Sequence, residues 1–298
     1  MSILPTDRSA EANLKTGIAI VLMGVMMFAC VDTLNKILGQ TLTIVQILWV
    51  RFLIFVPIAL ALAYRRQGGV VWRSQKPLLQ GVRAALLVIE MGFFVAALQY
   101  LPLADVQAIA ASAPLMVVAL SVPFLGEKVG WRRWSAVGVG FVGVLIIVRP
   151  GFETMGMGTI LTLIGTAMWA VYQIMLRIVG RYDPAPTTAL WTAVIGLVMT
   201  SAVVPFHWNP PSALGWVLLL AIGILGAAGH TVFMKAFTLA PASALQPYTY
   251  TQLVAVTILG FLVFGDLPDS MTVAGASLIV AAGLYSIYRA RVRAGLSG

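Results

Sequence analysis

Few side chains in this sequence are equipped for chemistry, and those few lie inside long apolar stretches. Glu90 and His230 each sit near the middle of one. A charge at the centre of a bilayer costs on the order of 2.5–3.5 kcal/mol, so titratable groups that persist there face a cavity or a partner. Two such groups at similar depth suit a substrate ammonium or a coupled proton, with Met91, beside Glu90, as apolar lining. The alternative is a structural ion pair between Glu90 and Arg83, seven residues back on the same face. Trp169, Tyr172 and Gln173 follow at i, i+3 and i+4 and share one helical face, an aromatic wall with a polar end that suits an amphipathic or aromatic ligand; the alternative is that these rings are packing or interface anchors. The segment from Gln246 to Gln252 is polar for a buried helix and adds Tyr248, Tyr250 and Gln252 to the binding candidates. Within it, Pro247 lacks an N–H and so frees a backbone carbonyl that an ammonium can use. Asp32, Gln107 and Gln246 are candidate gate or coupling residues. For the glutamines the alternative is a hydrogen bond between helices, and for Asp32 it is a local pair with Lys36 at i+4. Arg51 and Arg83 read as structural cations that satisfy carbonyls or reach for the interface.

Catalytic and metal-binding patterns are not found. There is no HExxH, no GxSxG and no phosphate-cradling Gly-Lys motif, and His207 and His230 are far apart, so no catalytic residue, metal or cofactor is expected. Cys30 is the single cysteine and lies in an apolar run, which excludes a disulfide framework and a CxxC site.

The elements that must position these residues follow from composition. Of 298 residues, 60% are hydrophobic and 10% charged, above the usage of an ordinary water-soluble domain. Apolar runs long enough to cross about 30 Å of hydrocarbon recur along the whole chain. Punctuation by turns and charges predicts spans near Gly17–Leu38, Leu42–Tyr64, Lys76–Gln99, Leu103–Leu125, Gly130–Val148, Met157–Gly180, Pro184–Phe206, Leu214–Thr238, Pro241–Phe264 and Ser270–Tyr288. The first run is too long for a signal-peptide core and is expected to be retained. If the N-terminus is cytoplasmic, fifteen Lys and Arg fall in same-side segments against Lys36 and Arg149 opposite, so both termini are predicted to face the cytoplasm. The net charge of +9 is dispersed between apolar runs rather than gathered in a patch, which argues against nucleic acid as a partner. The expected partners are a small-molecule substrate and the lipid bilayer.

The sequence also repeats itself. At an offset of 141, Gly17, Leu22, Gly24, Met27, Ile37 and Gly39 fall on Gly158, Leu163, Gly165, Met168, Ile178 and Gly180, with Lys36 on Arg177, Phe28 on Trp169 and Asp32 on Gln173. At 139, Ala97, Pro102, Gln107, Val117, Leu120 and Gly126 fall on Ala236, Pro241, Gln246, Val256, Leu259 and Gly265, with Glu127 on Asp266 and Met91 on His230. Each copy holds an odd number of spans, so the second enters the bilayer from the opposite face. The expected architecture is an all-α integral membrane protein of ten transmembrane helices built as two inverted five-helix repeats. Residues 1–16 form an N-terminal cytoplasmic segment, 17–150 and 157–289 the two repeats, and 290–298 a cytoplasmic tail. Such symmetry lets a midplane site open alternately to either face, with a cavity expected between spans 1, 3, 4, 6, 8 and 9.

Several stretches carry a family resemblance. Ala97-Leu98-Gln99-Tyr100-Leu101-Pro102-Leu103-Ala104, Phe124-Leu125-Gly126-Glu127-Lys128, the Gly-spaced run from Trp134 to Gly151 and the Arg51-Phe52 pair resemble the EamA branch of the drug/metabolite transporter superfamily. The second copy departs from it in carrying Gly265-Asp266 where Gly-Glu is usual. The resemblance implies ten spans, cytoplasmic termini in a bacterial inner membrane, and export of amino acids or other metabolites. Within the branch the chain is similar to the aromatic amino acid exporters. Export of other metabolites, drugs or quaternary ammonium compounds is the alternative; an integral-membrane enzyme or a channel is disfavoured.

Overall fold

The computed structural model describes residues 6–67, 72–150, 156–239 and 242–295, with the side chains at 6–12, 65–67, 234, 237, 238, 242–244, 246, 290, 291 and 293–295 outside the description. Among the described residues all regular structure is helical: α1 (Thr6–Leu38), α2 (Ile44–Gln67), α3 (Pro77–Ala97), α4 (Leu103–Ala110), α5 (Ala113–Leu125), α6 (Trp131–Val148), α7 (Met157–Val179), α8 (Ala185–Val203), α9 (Ala213–Leu239), α10 (Ala242–Thr249), α11 (Thr251–Phe264) and α12 (Ser270–Gly295). Ten stretches are long and apolar enough to cross a bilayer. Lipid-facing positions such as Phe141, Val142, Val217, Leu220 and Leu262 are exposed apolar side chains, as expected where hydrocarbon replaces water as solvent.

The sequence predicts spans 4 and 9 as continuous helices; the structure breaks both. Span 4 is α4 plus α5, interrupted at Ala111 and Ser112, and span 9 is α10 plus α11, interrupted at Tyr250. At the offset of 139 Ala111 falls on Tyr250, so the interruption is part of the repeat. Near each break the backbone tightens into i→i+3 bonds, from Ser112 N–H to Ile109 O and from Tyr250 N–H to Pro247 O. Pro114 follows the first break and removes a donor that would have bridged it, while Pro247 lies inside α10, three residues before the second.

Both copies also end span 4 or 9 in the same way. Gly126 and Gly265 adopt φ of +68° and +73°, a left-handed conformation that glycine enters without Cβ strain. Gly126 N–H reaches Val122 O and Gly265 N–H reaches Phe261 O, the single bond of a left-handed glycine cap, and the next residues add Glu127 N–H to Ser121 O and Asp266 N–H to Gly260 O. This cap aims Glu127 and Asp266 back over the helix ends.

Packing is mostly between the two copies. α1 lies on α9, α3 on α7, α2 on α8 and α6 on α12. Exchanging the copies maps these contacts onto one another, so a pseudo-two-fold axis runs through the middle of the molecule. The α6/α12 contact is glycine-mediated: a Cβ on Gly143 would lie 2.8 Å from Gly275 O, and one on Gly275 would lie 2.6 Å from Gly143 O. Small residues of this kind let membrane helices approach without a hydrophobic driving force. The end of the bundle where α1 begins and α12 finishes is called the termini end below, and the opposite end the far end.

Candidate functional site

Arg51, Phe52 and Phe55 of α2, Leu87 and Met91 of α3, Thr192 of α8, and Gly226, Ala227 and His230 of α9 enclose a pocket of about 20 Å³. That volume holds roughly one water. At the repeat offsets Arg51 falls on Thr192, Leu87 on Gly226 and Met91 on His230, so the pocket straddles the pseudo-two-fold axis. Its walls differ from the expected set, because spans 2 and 7 contribute and spans 1, 4, 6 and 9 do not. The cause is that α2 packs against both α8 and α9, which turns its central residues inward. His230 is held between rings, with Phe28 edge-on at 5.1 Å and Phe55 stacked at 6.2 Å.

A larger cavity of about 390 Å³ lies between α2, α3, α7 and α8 towards the far end, walled by residues such as Ile44, Leu48, Val88, Phe93 and Met199. It has no charged lining residue. The smaller pocket, by contrast, is lined by Arg51 and His230.

The two arginines differ. Arg83 is fully buried and its guanidinium is occupied by Gln80 Oε1 at 3.1 Å, Tyr172 OH at 3.2 Å, Thr188 O at 3.0 Å and Thr192 Oγ1 at 2.8 Å. It does not pair with Glu90. Glu90 and Asp32, both buried, are instead the charged neighbours of Arg51. Leu87, Glu90 and Met91 follow at i, i+3 and i+4, which turns Glu90 to the same side as the pocket lining.

Asp32 is not paired with Lys36 either. Its Oδ2 accepts Gln107 Nε2 from α4 at 2.8 Å and Gln252 Nε2 from α11 at 3.0 Å, tying three helices from both copies together. Lys36 bridges to Asp266 at 2.8 Å, also donates to Leu101 O and lies over the Phe264 ring. The repeat-equivalent pair, Arg177 and Glu127, meets at the termini end at 3.4 Å.

The remaining candidates spread out. Trp169 stacks on Tyr172 at 5.2 Å, and Tyr172 is buried with its hydroxyl taken by Arg83, so it braces α3 against α7 and α8. Gln173 is partly buried. Tyr248 packs into the α1/α9 core with Val21, Val25 and Leu245. Tyr250 points its ring at Gly283 of α12, where a Cβ would collide with the phenol. The Gln246 side chain lies outside the described residues. Arg51, which lines the pocket, and Asp266, which bridges to Lys36, are not among the sequence candidates. The repeat held the signal for Asp266, since Lys36/Arg177 and Glu127/Asp266 are opposite-sign pairs at helix ends.

Both ends carry a second clamp. At the far end Gln46 and Asn209 exchange two hydrogen bonds, of 2.8 and 3.1 Å. At the termini end the Asp183 carboxylate accepts from Ser74, Gln75 N–H and Gln80. Burial pushes that carboxyl up, but these hydrogen bonds outweigh it and hold it below the usual range. Among the described residues no group of three His, Cys, Asp or Glu could hold a metal ion.

A sequence model of the EamA-like transporter family matches residues 15–149 and again 156–288. The chain is 27% identical over 273 residues to an S-adenosylmethionine uptake transporter of Rickettsia felis, covering 92% of each. It is 27% identical over 277 residues to the pseudopaline exporter CntI of Pseudomonas aeruginosa, covering 90% of this chain and 95% of that one. It is 29% identical over 201 residues to a riboflavin transporter of Vibrio cholerae, covering 67% of each. A crystal structure of a protein with 18% identity superposes with a TM-score of 0.65 over 93% of this chain and 98% of that one; this likeness concerns the fold.

Proposed function

The chain belongs to the EamA-like transporter family, and on that premise we propose that it carries a small organic metabolite across a bacterial inner membrane by alternating access. The observation that supports this reading is the pocket on the axis relating the copies. A site on that axis faces either end when the two copies exchange arrangements, and the exchange changes packing little because the copies share a fold. Asp32 with its two glutamines and the Lys36–Asp266 bridge shut the far end; Arg177 and Glu127 shut the termini end. The excess of basic residues beside the termini supports placing that end in the cytoplasm.

For cargo we propose amino acids, including aromatic or other neutral ones, and metabolites that carry an amino-acid head. Charged groups at Arg51 and Glu90 beside the rings of Phe28, Phe55 and His230 support a ligand with a polar head and an apolar or aromatic body. The S-adenosylmethionine relative favours the same head attached to a heteroaromatic body, and it is the second reading. We assign export as the working direction, since the looser closure at the termini end favours loading from the cytoplasm. Asp32, Glu90 or His230 can carry a coupled proton.

Counterflow in proteoliposomes tests this. Preloading with tryptophan, phenylalanine, methionine, S-adenosylmethionine or riboflavin at two pH values should accelerate uptake of the labelled compound for at least one. His230→Ala and Trp169→Ala should lower exchange while leaving expression unchanged. Chemical conversion of cargo would indicate an enzyme and ohmic current a channel, and either would replace the carrier reading.

A further inference from the structure

Arg51 is a guanidinium with no evident structural duty. Arg83 is held by four protein acceptors on α3, α7 and α8, which is how a structural cation is satisfied at membrane depth. Among the described residues Arg51 makes no such hydrogen bond; its charged neighbours are Asp32 and Glu90, and it lines the pocket on the axis. The surrounding helix makes room for it. A Cβ on Gly226 would lie 3.2 Å from Arg51 Nε, so the guanidinium rests directly on the α9 backbone. Thr192, its repeat equivalent in the same pocket, has its hydroxyl engaged with Arg83 and with Thr188 O.

We infer that the Arg51 guanidinium docks a carboxylate on the cargo, so that the protein selects acid-bearing metabolites over the same molecules without the acid. The planar fork presents parallel N–H donors matched to a carboxylate. Charge balance extends the argument. Asp32 is engaged by two amides, whereas Glu90 has only charged neighbours. A lone carboxylate arriving at Arg51 would leave Glu90 without a counter-charge, a costly arrangement in low dielectric. A zwitterionic head brings both signs, carboxylate to Arg51 and ammonium to Glu90, and adds no net charge. This rests on the amino-acid reading of the cargo and narrows it to a specific pair of contacts.

The test compares acids with their amines. Wild-type proteoliposomes are challenged with tryptophan against tryptamine and methionine against 3-(methylthio)propylamine, together with S-adenosylmethionine and riboflavin, and half-saturating concentrations for counterflow are measured. Wild type should favour the acid by about 10- to 100-fold, the value of a buried charge-assisted pair. Arg51→Gln should bring that ratio to near one, and Arg51→Lys should keep part of it. Thermal unfolding without ligand shows whether each variant folds. Arg83→Gln should unfold more easily while any folded fraction keeps the wild-type ratio, a separation that a merely structural Arg51 would not produce. An unchanged acid-to-amine ratio in Arg51→Gln or Arg51→Lys overturns the inference. So does a wild type that treats acids and amines alike, or that exchanges riboflavin alone; those results leave the carrier reading standing. Wild type that exchanges nothing in the panel removes the amino-acid reading and the inference with it.

Discussion

The far end and the termini end are closed by the same device at different strengths. Each uses a basic residue at the end of span 1 or 6 against an acidic residue held by the glycine cap after span 9 or 4. At the far end Lys36 and Asp266 meet at 2.8 Å with side chains 14% and 34% exposed; at the termini end Arg177 and Glu127 meet at 3.4 Å with 54% and 42% exposed. Lys36 gains a carbonyl and an aromatic face besides; the repeat equivalent of Phe264 is Leu125, which offers no ring. Deeper in, Gln252 donates to Asp32, and its counterpart is Ala113. A desolvated, hydrogen-bonded pair is worth more than an exposed one, where solvent and side-chain entropy leave about 0–1 kcal/mol. One backbone design thus gives two end closures, and a few side chains set their unequal strength.

Equalising the ends should have a graded effect. Gln107→Leu together with Gln252→Leu strips both donors from buried Asp32 and should weaken far-end closure by about 3 kcal/mol. In a Cys30→Ala background, a cysteine placed at Leu101 should then react far faster with an impermeant maleimide. Lys36→Gln should cost about 1–2 kcal/mol, roughly a tenfold change in that labelling rate, and the exchange Lys36→Asp with Asp266→Lys should recover part of it. Gly126→Ala and Gly265→Ala should each lose about 1 kcal/mol of thermal stability, since a Cβ meets no neighbour there and only the left-handed strain acts. Unequal losses would show that the two caps do not bear equally on their gates. Glu127→Gln should change closure by 0.5 kcal/mol or about that; a larger effect would contradict the ranking of the gates.

The smallest effect concerns pH. Asp269 is held below the usual carboxylate range by the Thr272 N–H and by Arg149, and Asp183 is held low at the termini end by its three donors against the effect of burial. A carboxylate with a depressed folded-state value contributes stability that is complete above its unfolded value, about 3.9. That contribution is lost as pH falls through the folded value. These two clamps should therefore leave unfolding temperature flat between pH 5 and 8 and weaken it only below about pH 4. A slope near neutral pH would point to groups deeper in the bundle.

The span count and the inverted duplication were legible because hydrocarbon imposes length and composition on every helix that crosses it. The helix breaks were not, since Ala111, Ser112 and Tyr250 carry no strong signal of their own and Pro114 and Pro247 are tolerated inside membrane helices. Among the candidate site residues, Asp32 is expected from sequence to pair locally with Lys36 if it has a structural role, and its bonds to Gln107 and Gln252 depend on how spans 4 and 9 pack against span 1. Tyr172 was misleading because periodicity places it beside Trp169 without revealing that Arg83 claims its hydroxyl. Arg51 reads as a structural cation like Arg83 because one cation inside an apolar run resembles another until their partners are seen.

The central charges belong to one copy. Asp32, Arg51, Arg83 and Glu90 have Gln173, Thr192, Ile222 and Gly229 as counterparts. Two first copies assembled as a homodimer would force duplicate guanidiniums and carboxylates together about one axis, and two second copies would supply none of these four central ions. Joining the copies in one polypeptide lets a symmetric frame hold a lopsided electric field. On the alternating-access reading proposed above, a passenger bound to that field would keep its orientation relative to the first copy while the frame inverts around it, and would cross without having to turn around.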